Sequence, residues 1–232
     1  MFEPEEFTFS LDQFCGVARL FPLPNLVMFP QVMQPLHIFE PRYRALFEEA
    51  LAGDKLVALA VLAPGWEPDY DGRPALWPTA CLCRIATHTK LPDDCYNTLL
   101  VGLRRVRLKA ELPPHKLFRE AEVEVLDDDY PLLHAPGRPA LQRRLVERFK
   151  HVVPKLTEIQ DQLDQLLGTQ VPLGLLTDIV AYTLQLPLEV KHELLTEPDV
   201  DCRARILLQH LSDDRETSAC QQSPFPPAFS AN

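Results

Sequence analysis

The hydrophobic period changes once along this chain, and that change limits the folds open to it. From Val17 to about Asp127 the apolar residues fall in short β-prone runs. After the segment DDDYPLLHAPGRP they recur every third or fourth residue instead. The first region contains VARLFPL, QPLHIF, KLVALAVL, ACLCRIATHT, NTLLVGL, RRVRLKA and FREAEVEVL, separated by Pro, Gly and Asp clusters. REAEVEVL alternates cleanly, which puts Ala121, Val123 and Val125 on one face and glutamates on the other. Many short strands with turn signals point to a partly closed barrel or a sandwich.

One helix interrupts the strands. In EPRYRALFEEALAGD, Tyr43, Leu46, Phe47, Ala50 and Leu51 share a helical face, leaving Arg42, Arg44, Glu48 and Glu49 for water. Pro41 suits the first helical position and Gly53 the position past the end. In the second region Leu141, Leu145, Phe149, Val152, Leu156, Ile159, Leu163 and Leu166 form a long seam, which Pro154 should kink or split. Shorter helices follow, each opening near a proline, and together they read as a compact helical bundle. The expected divisions are an N-terminal extension (1–16), a β-rich domain (17–127), a linker (128–137), a helical subdomain (138–212) and a disordered, polar, proline-rich tail (213–232).

Charge narrows the function. The net charge of −10 argues against a nucleic-acid partner, which needs a basic face to neutralise phosphates. The acidic start MFEPEEFTFSLDQF lacks the basic and apolar regions of a signal peptide. LVALAVLA is too short to span a bilayer and fits a buried strand, so neither export nor a membrane is expected and the location reads as cytoplasmic. The six cysteines are then expected to be reduced. Cys81 and Cys83 share a strand face near Cys95 in sequence, but no pair has zinc-knuckle spacing, so they read as small buried apolar residues and no metal is expected.

Motifs for catalysis fail in turn. There is no phosphate loop of the G-x-x-x-x-G-K-[ST] type and no G-x-S-x-G elbow. HELLT places Thr196 where a zinc-protease helix needs its second histidine. Asp127, Asp128 and Asp129 lack the ligand alternation of a calcium loop and read as a solvated linker. Asp93 and Asp94 in KLPDDCYN suit a hairpin turn. No catalytic residue, cofactor or metal ligand is nominated. Two clusters remain. The loop PGWEPDYDGRPALWP (64–78) carries Trp66, Tyr70 and Trp77 between two strands, which suits either a recognition surface or a cap over one end of the sheet. Arg104, Arg105 and Arg107 read as a solvated strand edge, with Arg105 and Arg107 on one face.

The stretch LFPLPNLVMFPQVMQPLHIFEPRYRALFEEAL (20–51) resembles the start of the Lon N-terminal domain, also called the Lon substrate-binding domain. PLHIFEPRY is especially similar to short bacterial proteins that carry this domain alone. RIATHTKLPDDCYNTLLVGLRRVRL resembles the family's strand, KLPD turn and strand, with Gly102, Arg105, Arg107 and Leu108 at matching places. LTDIVAYTLQLPLEVKHELLTEPDVDCRARILLQHL resembles its helical subdomain. Ala80 departs from the pattern, standing where the family commonly has glycine.

The resemblance implies an α+β fold: an N-terminal β-rich pseudo-barrel with one crossing helix, then a C-terminal helical bundle. It also implies a non-catalytic module that recognises unfolded or exposed apolar polypeptide segments, as an adaptor or modulator of ATP-dependent proteolysis with a protease as a further partner. Candidate contacts are Met28, Phe29 and Met33, whose adaptable side chains suit varied apolar segments, together with Trp66, Tyr70 and Trp77. The alternatives are reuse of the barrel by a small ligand or an enzymatic site, and self-association through the Leu141–Leu166 seam.

Overall fold

The computed structural model describes residues 14–152 and 171–213. Strands β1 (Val17–Leu23) and β2 (Met33–Ile38), helix α1 (Pro41–Ala52), and strands β3 (Leu56–Val61), β4 (Thr79–Lys90), β5 (Tyr96–Glu111) and β6 (Arg119–Leu126) come first. Helices α2 (Arg138–Val152), α3 (Leu173–Thr183), α4 (Leu188–Thr196) and α5 (Val200–Asp213) follow. The described residues thus form a mixed fold with a six-stranded sheet and five α-helices. They divide into two units, one up to Leu126 and one from Asp127.

In the first unit the strands lie in the order β2-β5-β4-β3-β1-β6, and β6 also pairs with β5. Pairing therefore runs in a circuit through β5, β4, β3, β1 and β6, with β2 added beside β5. β1 and β3 are parallel; the other pairs are antiparallel. The side chains follow this circuit. Alanines and leucines from all five of its strands (Ala18 and Leu20, Ala58 and Ala60, Ala80 and Leu82, Leu103, Ala121) meet in one buried cluster. Small residues suit a narrow enclosed space. Ala80 sits here in regular pairing with Val106, so its methyl group is accommodated within the strand.

The opposite face of the sheet carries the larger residues, including Phe21, Leu36, Ile38, Leu59 and Leu100, covered by α1. That is why β3 is buried at every residue: both of its faces are covered. α1 begins at Pro41 and is closed by a hydrogen bond from the Gly53 N–H to the Ala50 carbonyl. It buries Tyr43, Leu46, Phe47 and Ala50. Of its polar residues Glu48 is exposed; Arg42, Arg44 and Glu49 are half-buried.

The KLPDDC turn is built as the sequence predicts, with Asp94 in the left-handed region and Asp93 Oδ1 accepting the Cys95 N–H. The arginine cluster is not. Arg104 and Arg107 are exposed, but Arg105 is only 3% exposed. It pairs with Cys81 on one side and Leu126 on the other, so this stretch is interior to the sheet and not an edge. Cys81, Cys83 and Cys95 are buried free thiols.

In the second unit Leu145, Phe149, Leu176, Val180, Leu194 and Leu207 are buried among the described helices. In the aspartate run Asp127 and Asp129 are exposed, whereas Asp128 is half-buried. Asp128 pairs with Arg203 at 2.9 Å, and Arg203 is 1% exposed. Asp129 bonds through its backbone N–H to the Pro198 carbonyl and through its carbonyl to the Val200 N–H. Asp178, also buried, lies 3.7 Å from the same guanidinium. The seam extending to Leu166, with Pro154, runs beyond the described residues. No helix among the described residues is long and apolar enough to cross a membrane.

Candidate functional site

Loop 64–75 leaves the sheet between β3 and β4 and is closed at its neck. Leu62 bridges Leu76, and the Ala63 N–H bonds to the Ala75 carbonyl at 2.8 Å. Inside the loop a short 3-10 turn, Glu67–Asp69, places Trp66 edge-on to Tyr70 with ring centroids 5.4 Å apart.

Arg42, in the first turn of α1, fastens this loop. Its Nη1 donates to the Tyr70 carbonyl at 3.0 Å and its Nε to Glu40 at 2.9 Å. Its guanidinium carbon lies 4.7 Å from the Tyr43 ring centroid and 4.6 Å from that of Tyr70. A cation between two aromatic rings gains from both quadrupoles. The Tyr70 hydroxyl completes the arrangement by donating to Glu40 at 2.6 Å. Burial raises the Tyr70 pKa and the bond to Glu40 adds to the rise, so the phenol remains a donor at neutral pH.

A second wall comes from the segment between β5 and β6 and from the start of β6. Arg119 forks onto Glu111 with Nε and Nη2, and its Nη1 donates to the Pro74 carbonyl at 2.8 Å. Arg73 reaches the same carboxylate at 2.9 Å and the Leu112 carbonyl at 3.2 Å, both through Nη2. Lys116 bonds Glu49 at 2.7 Å and Glu120 at 3.0 Å, and sits 5.2 Å from the Phe118 ring centroid.

Between the walls lies a half-open pocket of about 220 Å³. Arg42, Arg73, Lys116 and Arg119 line it together with one carboxylate, Asp71. Tyr43, Tyr70, Phe118 and the 74% exposed Leu117 supply its apolar surface. The partner carboxylates Glu40, Glu49, Glu111 and Glu120 do not line it, so the wall presents cations to the opening.

These ion pairs carry a pH dependence. Burial alone would raise the pKa of Glu111, but hydrogen bonds from Arg119 and Arg73 outweigh it and leave a lowered value. Glu49 is lowered in the same way, burial being outweighed by Lys116 and Arg19. A carboxylate with a depressed folded pKa contributes stability above its unfolded pKa and loses it as pH falls through the folded value. The urea midpoint is therefore expected to drop from near the ordinary carboxylate value of about 4.3 downward. A midpoint unchanged between pH 6 and pH 3 would contradict this.

Of the six side chains nominated from the sequence, Tyr70 lines the pocket and Trp66 packs edge-on against Tyr70. The Trp77 side chain is half-buried beyond the neck, and its main-chain N–H donates to the Val61 carbonyl. Met33 is 59% exposed on β2, outside the pocket lining. Met28 and Phe29 are 1% and 0% exposed, so they belong to the core and are not surface contacts. Met28 packs into the buried cluster beneath α1, and the Phe29 main chain lies against Gly102 of β5. Sequence reasoning missed Arg42, Arg73, Lys116 and Arg119. The one signal, for Lys116 and Arg119 alone, was HKLFR (115–119), where two large apolar residues are bracketed by cations after two prolines.

One further group sits in the second unit, where His134, Asp199 and Asp201 bring ligand atoms within 4.8 Å of one another. Two of its members already have structural work. Asp201 holds Arg138 through Nε and Nη2, and Asp199 Oδ1 caps α5 by accepting the N–H groups of Asp201 and Cys202.

Residues 17–213 match the model of the ATP-dependent protease La (LON) substrate-binding domain. Among curated proteins, Lon protease 2 of Myxococcus xanthus is 26% identical over 200 residues, covering 86% of this chain and 24% of that protein. A Lon protease of Heliobacterium modesticaldum is 26% identical over 198 residues, covering 85% and 24%. The chain thus spans about a quarter of the length of the curated relatives it matches. Among solved structures, the N-terminal domain of the Mycobacterium avium complex Lon protease aligns with a TM-score of 0.64 at 16% identity, covering 85% of this chain and 98% of that one. A Lon N-terminal domain protein from Xanthomonas campestris aligns with a TM-score of 0.58 at 21% identity, covering 83% and 97%.

Proposed function

The chain belongs to the ATP-dependent protease La (LON) substrate-binding domain family, and from that premise we propose that it recognises exposed apolar segments of unfolded polypeptides. The observation that carries this reading is the pinned loop beside the pocket, where Trp66, Tyr70 and the exposed Leu117 offer apolar surface on a fixed frame. Rigid aromatic anchors on a supported loop lower the ordering cost of binding. In this reading the strand circuit is a pseudo-barrel, the four helices form the family's helical bundle, and the module is non-catalytic. Its role is adaptor or modulator of ATP-dependent proteolysis in the cytoplasm.

The test is a titration of a labelled, permanently unfolded polypeptide rich in Leu and Phe against the full chain. Trp66→Ala is expected to weaken binding about tenfold or more while leaving the thermal transition in place. Unchanged affinity in a folded variant would overturn the assignment of the loop. A second reading, reuse of the barrel by a small anionic ligand, is favoured by the four cations of the pocket. It requires binding that depends on a free acid and not on a polypeptide, so competition by N-acetylleucine at equal molar concentration distinguishes it.

A further inference from the structure

Apolar recognition alone does not explain why this pocket is lined by cations. Arg42, Arg73, Lys116 and Arg119 face one aspartate, and the glutamates that balance them lie outside the lining. Three of the four are already engaged through several donors. Arg42 and Arg119 each bond a glutamate and a main-chain carbonyl, and Lys116 holds two glutamates. Arg73 differs: among the described residues it bonds only through Nη2, leaving Nε and Nη1 with donors to offer.

We propose that this pocket reads a carboxylate carried next to an apolar residue of the bound polypeptide, with Arg73 as the selecting group and Leu117 beneath the apolar neighbour. The inference rests on the polypeptide-recognition reading and names its substrate class. The chemistry favours a carboxylate over a more highly charged group. One guanidinium with spare donors matches a single negative charge, and the neighbouring cations are largely compensated by their own glutamates. The pocket volume of about 220 Å³ also fits a side chain and not a folded surface. The acidic character of the chain as a whole, net −10, then works by contrast: an acidic peptide is repelled elsewhere and admitted here.

Three capped hexapeptides test this against the full chain by fluorescence anisotropy. The first is Gly-Leu-Phe-Asp-Leu-Gly with an amidated C-terminus, the second is its Asn twin, and the third is the Asn twin with a free C-terminal carboxylate. The Asp peptide is expected to bind about tenfold more tightly than its Asn twin. Arg73→Gln should abolish that ratio, so that the variant binds the Asp peptide and its Asn twin alike, and Arg73→Lys should restore part of it. Raised salt should shrink the ratio as well. Preference for the free C-terminus over the internal Asp would also support the pocket, and would identify a terminal carboxylate as the source. Equal binding of all three by the wild type would overturn carboxylate selection while leaving apolar recognition standing. No binding of any peptide would overturn both readings. A ratio that survives Arg73→Gln in a folded protein would remove Arg73 from the role.

Discussion

Arg203→Met is expected to lower the stability of the helical unit by about 3–5 kcal/mol. Arg203 is buried, with Asp128 at 2.9 Å and the equally buried Asp178 at 3.7 Å. A buried carboxylate left without its cation keeps its desolvation cost and loses the attraction that offset it. The surroundings are shaped for this pair. The Tyr130 hydroxyl accepts the Gly174 N–H at 3.1 Å, and a Cβ at Gly174 would come within 2.1 Å of Asp128 Oδ2. Adding Asp178→Asn to Arg203→Met should recover part of the loss, because one of the carboxylates that faced the lost cation is removed. Urea unfolding followed by far-ultraviolet circular dichroism measures both variants. A loss under about 1 kcal/mol for Arg203→Met would place the pair among weak surface bridges instead.

Gly102→Ala is expected to cost about 3 kcal/mol, at the upper end for overpacking a core. The reason is backbone, not side chain. A Cβ on Gly102 would lie 2.0 Å from the Phe29 carbonyl oxygen and 3.1 Å from Pro30 Cα. The same residue exchanges main-chain bonds with the turn before β2. The Gln31 N–H donates to its carbonyl at 2.8 Å, and its own N–H donates to the Val32 carbonyl at 2.9 Å. Gln31 holds a φ of 60°, so the turn has little freedom to retreat. Gly174→Ala should be milder, since the atoms met there are ends of side chains. Thermal melts of the two variants side by side check the order; equal losses would mean that the Phe29 turn yields.

Much of the fold was legible because it is written in local patterns. Alternation in REAEVEVL placed Ala121 on the packed face, and Pro41 and Gly53 marked the ends of α1. What local pattern could not show was pairing between distant strands. Arg105 looks like a solvated edge residue in isolation; only the flanking of β5 by both β4 and β6 buries it. Asp128 looks like linker charge until α5 supplies Arg203, seventy-five residues further along the chain. Met28 and Phe29 look adaptable and exposed because their apolar character is the same in a core as on a binding surface. The candidate site was half visible. Tyr70 and Trp66 stood out as aromatic residues on a loop, whereas Arg42, Arg73, Lys116 and Arg119 come from three separate segments that only the tertiary structure assembles.

A polypeptide docked beside the loop that Arg42 fastens would shield the amides of that loop from solvent. Hydrogen exchange of the full chain, with and without a saturating Leu- and Phe-rich peptide, tests it most directly. Slowed exchange confined to residues 64–76 and 112–120 is the expected result. Protection found only on β2 or in the helical unit, or no protection under saturating peptide, would contradict it.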